Sequence, residues 1–267
     1  MKAKILDING NEAGTMELPE QFSESLNNNL IKRAVLVIQS KKRQLYGALK
    51  GAGQRASAKL SRRRGHYKGA YSHGISRVPR KSLWHRGTQF GWVGAVAPGM
   101  VGGRRAHPPK SEKILERKIN KKENRKAIRS AIAASLNHEL VKLNHKTSET
   151  LPLILESKFE TLNKTKQVKE TLEKIGLKNE LKRISEKKIR AGRGKNRGRR
   201  YRIKTGPLIV ISKECPLAKA SSNLQGIDIV KVNGLNAELL APGAKPGRLV
   251  VWTKDSIEKM KNERLFL

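Results

Sequence analysis

Lys187 to Lys204, 18 residues, hold 10 Lys and Arg and no acid, running Arg190-Ala-Gly-Arg-Gly-Lys-Asn-Arg-Gly-Arg-Arg-Tyr201-Arg202. Like charges at that density repel unless anions lie between them, and the interspersed glycines let the backbone approach a polyanion closely. The chemistry open to these residues is phosphate recognition, since guanidinium forks bond phosphate oxygens in pairs and stack on flat rings. A solvated loop or a nuclear address accounts for the charge but not for the glycines.

A longer cationic field precedes this run. The 87 residues from Ser25 to Ser111 contain 19 Lys and Arg and no Asp or Glu; at the chain's average frequency about seven acids are expected there. The window also carries 12 of the 23 glycines, two of the three tryptophans and four of the six histidines. It is too poor in aliphatic runs to offset its own ordering entropy, so a partner must order it. A polyanion suits, because cations neutralise phosphates while aromatic rings stack on bases. His66, Tyr67, Tyr71, Trp84 and Trp92 are the candidate stacking residues, with Trp84 and Trp92 equally open to packing the stretch's own turns. The positive surroundings of His66, His73, His85 and His107 favour neutral imidazoles, for which RNA contact outweighs metal ligation.

Other chemistries lack their residues. The spacing of a nucleotide-hydrolase phosphate loop is absent, and Gly192 to Lys195 only echoes it. Gly51-Ala-Gly53 follows a helical stretch where a dinucleotide fingerprint needs a strand. No nucleophile elbow and no paired-His zinc pattern occurs. Cys215, the single cysteine, has no His near it in sequence and precedes Pro216, which fits a small buried hydrophobe rather than a nucleophile and favours a reducing, cytosolic setting. Asp228 suits a strand-end or capping role better than an acid catalyst. A non-enzyme without cofactor or metal is expected.

The elements that must carry these fields are legible in outline. Net charge is +36, and about 200 residues outside the arm suffice for one well-buried core. No apolar run approaches the roughly 18–20 residues of a membrane span, Ala34 to Ile38 being the longest clean one, and the N-terminus lacks a signal-peptide pattern; no membrane partner is expected. Lys2 to Ile8, Asn9-Gly10, and Met16 and Leu18 on the return predict a hairpin. Phe22, Leu26, Leu30, Ala34, Val37 and Ile38 recur at helical spacing and predict a helix running to Leu45 or Leu49, ended by Gly51 and Gly53. From there to Lys110 no period is sustained. This is an arm whose legs, out and back, span at most about 100 Å.

Pro108-Pro109 close the arm, and Ser111 with Glu112 offers a cap to a helix through Ile128, Ile132, Leu136, Leu140 and Leu143. An apolar run from Leu151 to Leu155 follows, then a helix over Phe159 to Ile175 stopped by Gly176, and a shorter one from Leu177 to about Ile189. Leu208 to Ile211, Ile227 to Val230 and Leu249 to Trp252 read as buried strands, with Trp252 in the core. The alternation predicts an α/β fold: a mainly parallel sheet with helices on both faces, an N-terminal β-hairpin and one long extended basic loop. Residues 1–45 and 111–267 are expected to form a single globular domain, with 46–110 as the loop.

Gly74-Ile-Ser-Arg77-Val-Pro79-Arg80, Gly99-Met-Val-Gly-Gly-Arg104-Arg105-Ala-His107-Pro108-Pro109-Lys110 and the Arg190 to Arg202 run together resemble the universal L-four family of large-subunit ribosomal proteins, archaeal and eukaryotic type. The resemblance covers essentially the whole chain, including Ala241-Pro-Gly-Ala-Lys-Pro-Gly-Arg-Leu before the last strand. Arg193 and Asn196 stand where that family's pattern has Lys and Met, which leaves the charge pattern intact.

The resemblance implies a structural constituent of the large ribosomal subunit that binds 23S-type rRNA early in assembly. The implied rRNA contacts are Arg55, Lys59, Arg62, Arg63, Arg64, Lys68, Arg77, Arg80, Lys81, Arg86, Arg104, Arg105, His107 and Lys110 in the loop, and Arg190, Arg193, Lys195, Arg197, Arg199, Arg200, Tyr201 and Arg202 beyond it. It also implies a loop reaching the polypeptide exit tunnel, with Arg77, Arg80, Lys81, Trp84, His85 and Arg86 as the candidate tip beside the nascent polypeptide. Neighbouring large-subunit proteins are the other implied partners, the location is cytoplasmic, in the ribosome, and no homo-oligomer is expected. A non-ribosomal nucleic-acid-binding protein is the alternative; an RNA methyltransferase lacks its Gly-rich cofactor turn.

Overall fold

A computed structural model describes residues 1–66, 69–147 and 151–267. The chain divides into two compact units, Met1–Lys42 with Glu116–Leu267, and Arg43–Leu115.

The first unit opens with β1 (Lys2–Leu6) and β2 (Glu12–Glu17), the antiparallel hairpin that Asn9-Gly10 predicts. Helix α1 (Asn28–Lys41) starts where the Asn27 side chain accepts from the Leu30 amide at 3.0 Å. It ends short of Leu45 and Leu49, both of which are exposed and have no apolar surface to cover. In the second unit lie β3 (Arg80–Arg86) and β4 (Gln89–Gly94), an antiparallel pair within the arm.

Back in the first unit, α2 (Lys121–Ala134) begins ten residues after Ser111, which caps no helix. The apolar face of α2 sets in only at Ala127, Ile128, Ala131 and Ile132, while Ile114 is exposed. The expected single helix through Leu143 is broken. Asn137 turns the chain and caps α3 (His138–Asn144) by accepting from the Glu139 and Leu140 amides.

The remaining elements alternate strands with helices, although the helix expected from Phe159 starts only at Thr165, because Leu162 and Lys164 are extended after a short turn over Ser157–Thr161. They are β5 (Leu153–Leu155), α4 (Thr165–Leu172), α5 (Lys178–Ser185), the two-residue strands β6 (Lys188–Ile189) and β7 (Tyr201–Arg202), β8 (Leu208–Ile211), α6 (Pro216–Ser222), β9 (Asp228–Lys231), α7 (Ala237–Leu240), β10 (Val250–Thr253) and α8 (Lys254–Asn262). Gly176, at φ 90, interrupts the chain between α4 and α5. Helix α5 stops at Ser185 rather than near Ile189, because Lys188 and Ile189 pair with Arg202 and Tyr201 instead.

The six-stranded sheet has the order β2-β1-β5-β10-β8-β9, parallel throughout except for β1 with β2. Successive side chains of a strand point to opposite faces, so a strand of continuous apolar residues feeds two cores. Ile154, Val210, Val250 and Trp252 join Ile31, Ala34, Ala127, Ile132 and Ile257 on one face. Leu153, Leu155, Ile209, Ile211 and Val251 join Phe159, Val168, Leu172, Ile184 and Leu217 on the other. Trp252 is fully buried between its register partners Ile154 and Val210, and Phe22 meets its ring edge-on at 5.1 Å. Each such side chain contributes about 1.5–3 kcal/mol by burial, so this unit stands on its own apolar surface. In Arg43–Leu115, by contrast, only Ala70 and Ala95 among the described apolar residues are buried.

Candidate nucleic-acid interface

In the arm unit the two legs meet through backbone. The Ala48 amide donates to the Pro109 carbonyl at 2.9 Å. Gly53, at φ 75, lies so close to the opposite leg that a Cβ there would come 2.4 Å from the Arg104 nitrogen. Only glycine tolerates both the left-handed backbone and that approach. A cavity of about 590 Å³ between the legs is lined by Gly51, Gln54, Arg104, Arg105 and Lys110. Gly53→Val is expected to hold the legs apart, at a backbone cost of roughly 1–2 kcal/mol before any clash. The Ala48 amide should then exchange with solvent at least tenfold faster; unchanged protection in the variant disproves the closure.

Further along the arm, β3 and β4 turn at Gly87-Thr88, and a bulge at Leu83 shifts their register. Trp84 lies across Gly91, where an added Cβ would come 2.1 Å from the indole nitrogen. The residue is still 57% exposed, a flat platform beside Lys81 and Arg86 on the same register face. Trp92 is on the other face, edge-on to Phe90 at 5.6 Å, and His85 follows Phe90 at 5.8 Å. The two alternatives for the tryptophans therefore separate: Trp92 packs the unit's own turn, with its indole N–H buried and without a partner among the described residues, while Trp84 offers a free ring.

The predicted residues divide in the same way. Arg80, half-buried, bonds the Val78 carbonyl and the Ser76 hydroxyl, and its backbone exchanges hydrogen bonds with Lys59. Arg77 covers the Tyr71 ring at 4.9 Å. Arg55, Lys59, Arg62, Arg63, Arg64, Arg86, Arg105, His107 and Lys110 are exposed, as is His85, whereas Lys81, Arg104 and His66 are half-buried. Tyr67 and Lys68 lie outside the described residues. Arg86 and His85 adjoin the turn; Arg80 and Lys81 stand at the base of the hairpin and Arg77 precedes it. Among the described residues of Arg43–Leu115 no Lys or Arg forms an ion pair with a carboxylate.

The second basic run folds onto the first unit as a cationic finger. Strands β6 and β7 form its base, and the Arg190 amide donates to the Arg200 carbonyl at 2.8 Å. A short turn over Arg193–Arg197 closes at Gly198. Arg190, Arg193, Lys195, Arg197, Arg199, Arg200, Tyr201 and Arg202 are all exposed, apart from half-buried Gly194 between them, and Arg200 lies over the Tyr201 ring at 5.6 Å. No carboxylate neutralises any of them among the described residues.

Behind the finger sits a buried ionic cluster that local sequence does not announce. Glu180 of α5, with no exposed side-chain surface, accepts from His145 Nδ1 at 2.6 Å, the Lys146 amide at 2.9 Å, and Arg183 through Nε at 2.8 Å and Nη2 at 2.7 Å. Burial opposes ionisation of this carboxyl, but the Arg183 and His145 hydrogen bonds and the Lys146 amide outweigh it and hold the pKa at about 2. Arg183 Nη2 also donates to the Thr205 carbonyl at 2.6 Å, tying α5 to the strand that leaves the finger. Asp228 takes the strand-end role expected of it, bound by the buried Arg248 at 2.5 Å. Cys215 is half-buried ahead of α6, and burial pushes its thiol up, away from nucleophilic chemistry.

Sequence comparisons give the family. The model of the ribosomal protein L4/L1 family matches residues 16–263. The chain is 46% identical to large ribosomal subunit protein uL4 of Nanoarchaeum equitans over 268 residues, all of both chains. It is 45% identical to the protein of that name from Archaeoglobus fulgidus, covering 97% of each, and 45% identical to that from Methanococcoides burtonii, covering 99% of each.

Proposed function

Because the chain belongs to the ribosomal protein L4/L1 family, we propose that it is a structural constituent of the large ribosomal subunit that binds 23S-type rRNA early in assembly and lends its arm to the wall of the polypeptide exit tunnel. The observation that carries the RNA reading is the absence of carboxylate partners among the described residues. Exposed guanidinium and ammonium groups fill both the arm and the finger, and no acid within the described residues of the arm neutralises them. Such a surface gains most from phosphates, which release counterions on contact. Residues 46–110 serve as the loop. The legs, with Arg104, Arg105 and Lys110, hold rRNA, and the Gly87-Thr88 turn with Trp84, His85 and Arg86 faces the nascent chain. Neighbouring large-subunit proteins complete the surroundings, and the working location is the cytoplasmic ribosome.

The test separates anchor from tip. Deleting residues 82–92 and joining the strands with a short Gly linker is expected to leave incorporation into large subunits near the wild-type level, measured by co-sedimentation through high salt. The deletion should change chemical reactivity of tunnel-wall rRNA and the passage of a stalling nascent chain. A deletion protein that fails to incorporate assigns the hairpin to assembly; one that incorporates with unaltered tunnel reactivity removes it from the wall.

A further inference from the structure

The finger's base, α5 and the loop before β10 enclose a cavity of about 590 Å³ in the first unit. Among the described residues, six cationic side chains line it and no acidic one does. Three of them are committed: Arg248 to the Gly206 and Leu239 carbonyls and Asp228, Lys204 to Glu186, and Arg183 to Glu180 and the Thr205 carbonyl. Arg183 nevertheless keeps its Nη1 without a hydrogen bond among the described residues. Lys188, Arg202 and Lys245 have no carboxylate within 4.0 Å among those residues.

Two features distinguish this cavity from an ordinary solvated surface. Lys188 and Arg202 are direct register partners across β6 and β7, and like charges placed opposite one another destabilise a strand pair unless an anion sits between them. Arg183 is fixed by a carboxylate with no exposed surface, so its free amino group is already oriented and loses little freedom on binding. Arg183 and Lys204 also border a second cavity, of about 750 Å³, with Lys146 and Lys182 on its wall and Glu186, the partner of Lys204, as its acid among the described residues.

We propose that this cavity is a phosphate-binding site that takes a backbone phosphate of the RNA strand lying along the finger, with Lys188, Arg202, Lys245 and Arg183 Nη1 as donors. The proposal rests on the RNA-binding reading above and extends it from the exposed finger to a built pocket at its foot. Glu180 and His145 act as positioning residues behind Arg183. A free inorganic phosphate carries the same chemistry, and the two sources are separated as follows.

The experiment uses the full chain and a paired substitution of exposed residues, Lys188→Gln with Lys245→Gln, against a charge-matched control, Lys166→Gln with Lys261→Gln. Binding to large-subunit rRNA is measured over a range of salt. The cavity pair is expected to lose about tenfold in affinity at physiological salt, with a log–log salt slope smaller by about one, while the control changes little. Equal losses in both pairs, or no loss in the cavity pair while wild type binds, overturn the inference and leave the RNA reading standing. If wild type fails to bind rRNA, that reading falls, and a second arm decides the site. Inorganic phosphate is added to labelled protein and amide shifts are followed. Saturable shifts at Thr205 and Gly243 that vanish in the cavity pair identify a phosphate site fed from another source; shifts spread evenly along the basic segments refute it.

Discussion

Glu180→Ala is expected to destabilise the globular unit by about 3–5 kcal/mol, because removing one partner of a buried ion pair strands the other. Arg183 and His145 lose the shared acceptor that holds both side chains in place. The same carboxyl makes stability depend on acid. Its pKa is about 2 in the folded chain against an ordinary 4.5, so the folded state binds the proton more weakly than the unfolded one. A depressed carboxyl stabilises fully above the unfolded pKa and loses that contribution as pH falls through the folded one. The window is therefore about pH 5 down to pH 2, and the amount is about 3 kcal/mol at 1.36 kcal/mol per unit. Urea unfolding of wild type and Glu180→Gln across that window checks it. The wild-type curve should fall more steeply, and two parallel curves remove Glu180 as the source.

That cluster also marks where sequence reading stops. Leu208–Ile211 and Val250–Thr253 are legible because buried parallel strands need apolar residues on both faces, which leaves a continuous apolar run. Helix ends are less legible. Leu45 and Leu49 continue the period of α1 but meet no surface to cover, so the helix ends without them. The arm's hairpin is hidden for a different reason: the bulge at Leu83 puts Ser82 and His85 on one face, breaking the two-residue alternation by which a strand is recognised. The fields of Arg104-Arg105 and Arg190 to Arg202 stand out because a run of uncompensated charge needs no tertiary context. Glu180 lies 35 residues from His145 and 3 from Arg183, a spacing with no motif, and only the fold brings them behind Thr205. Lys188 and Lys245 share a cavity for the same reason, although one belongs to the basic run and the other to the loop before the last strand.

Neutralising the finger should give the opposite pattern to Glu180→Ala. Arg193, Arg197, Arg199 and Arg200 are exposed and make no side-chain contact with a carboxylate among the described residues, so their joint replacement by Gln removes no buried interaction there. The unfolding midpoint is expected to hold or rise slightly, since self-repulsion at net charge +36 is relieved. Affinity for large-subunit rRNA is expected to drop by about two to three orders of magnitude at physiological salt, with the log–log slope smaller by about one for each phosphate contact removed. Arg104→Ala with Arg105→Ala, two residues on the leg of the arm, should cost less, about tenfold, with a slope smaller by about two. The comparison of slopes matters more than either affinity. A general loss of positive charge weakens binding in proportion to the charges removed wherever they sit. Direct contacts instead give slope changes that add across the two segments, and the sextuple variant should show their sum. A slope left unchanged by the finger substitutions means that those guanidiniums do not touch phosphate, and places the RNA contact elsewhere on the chain.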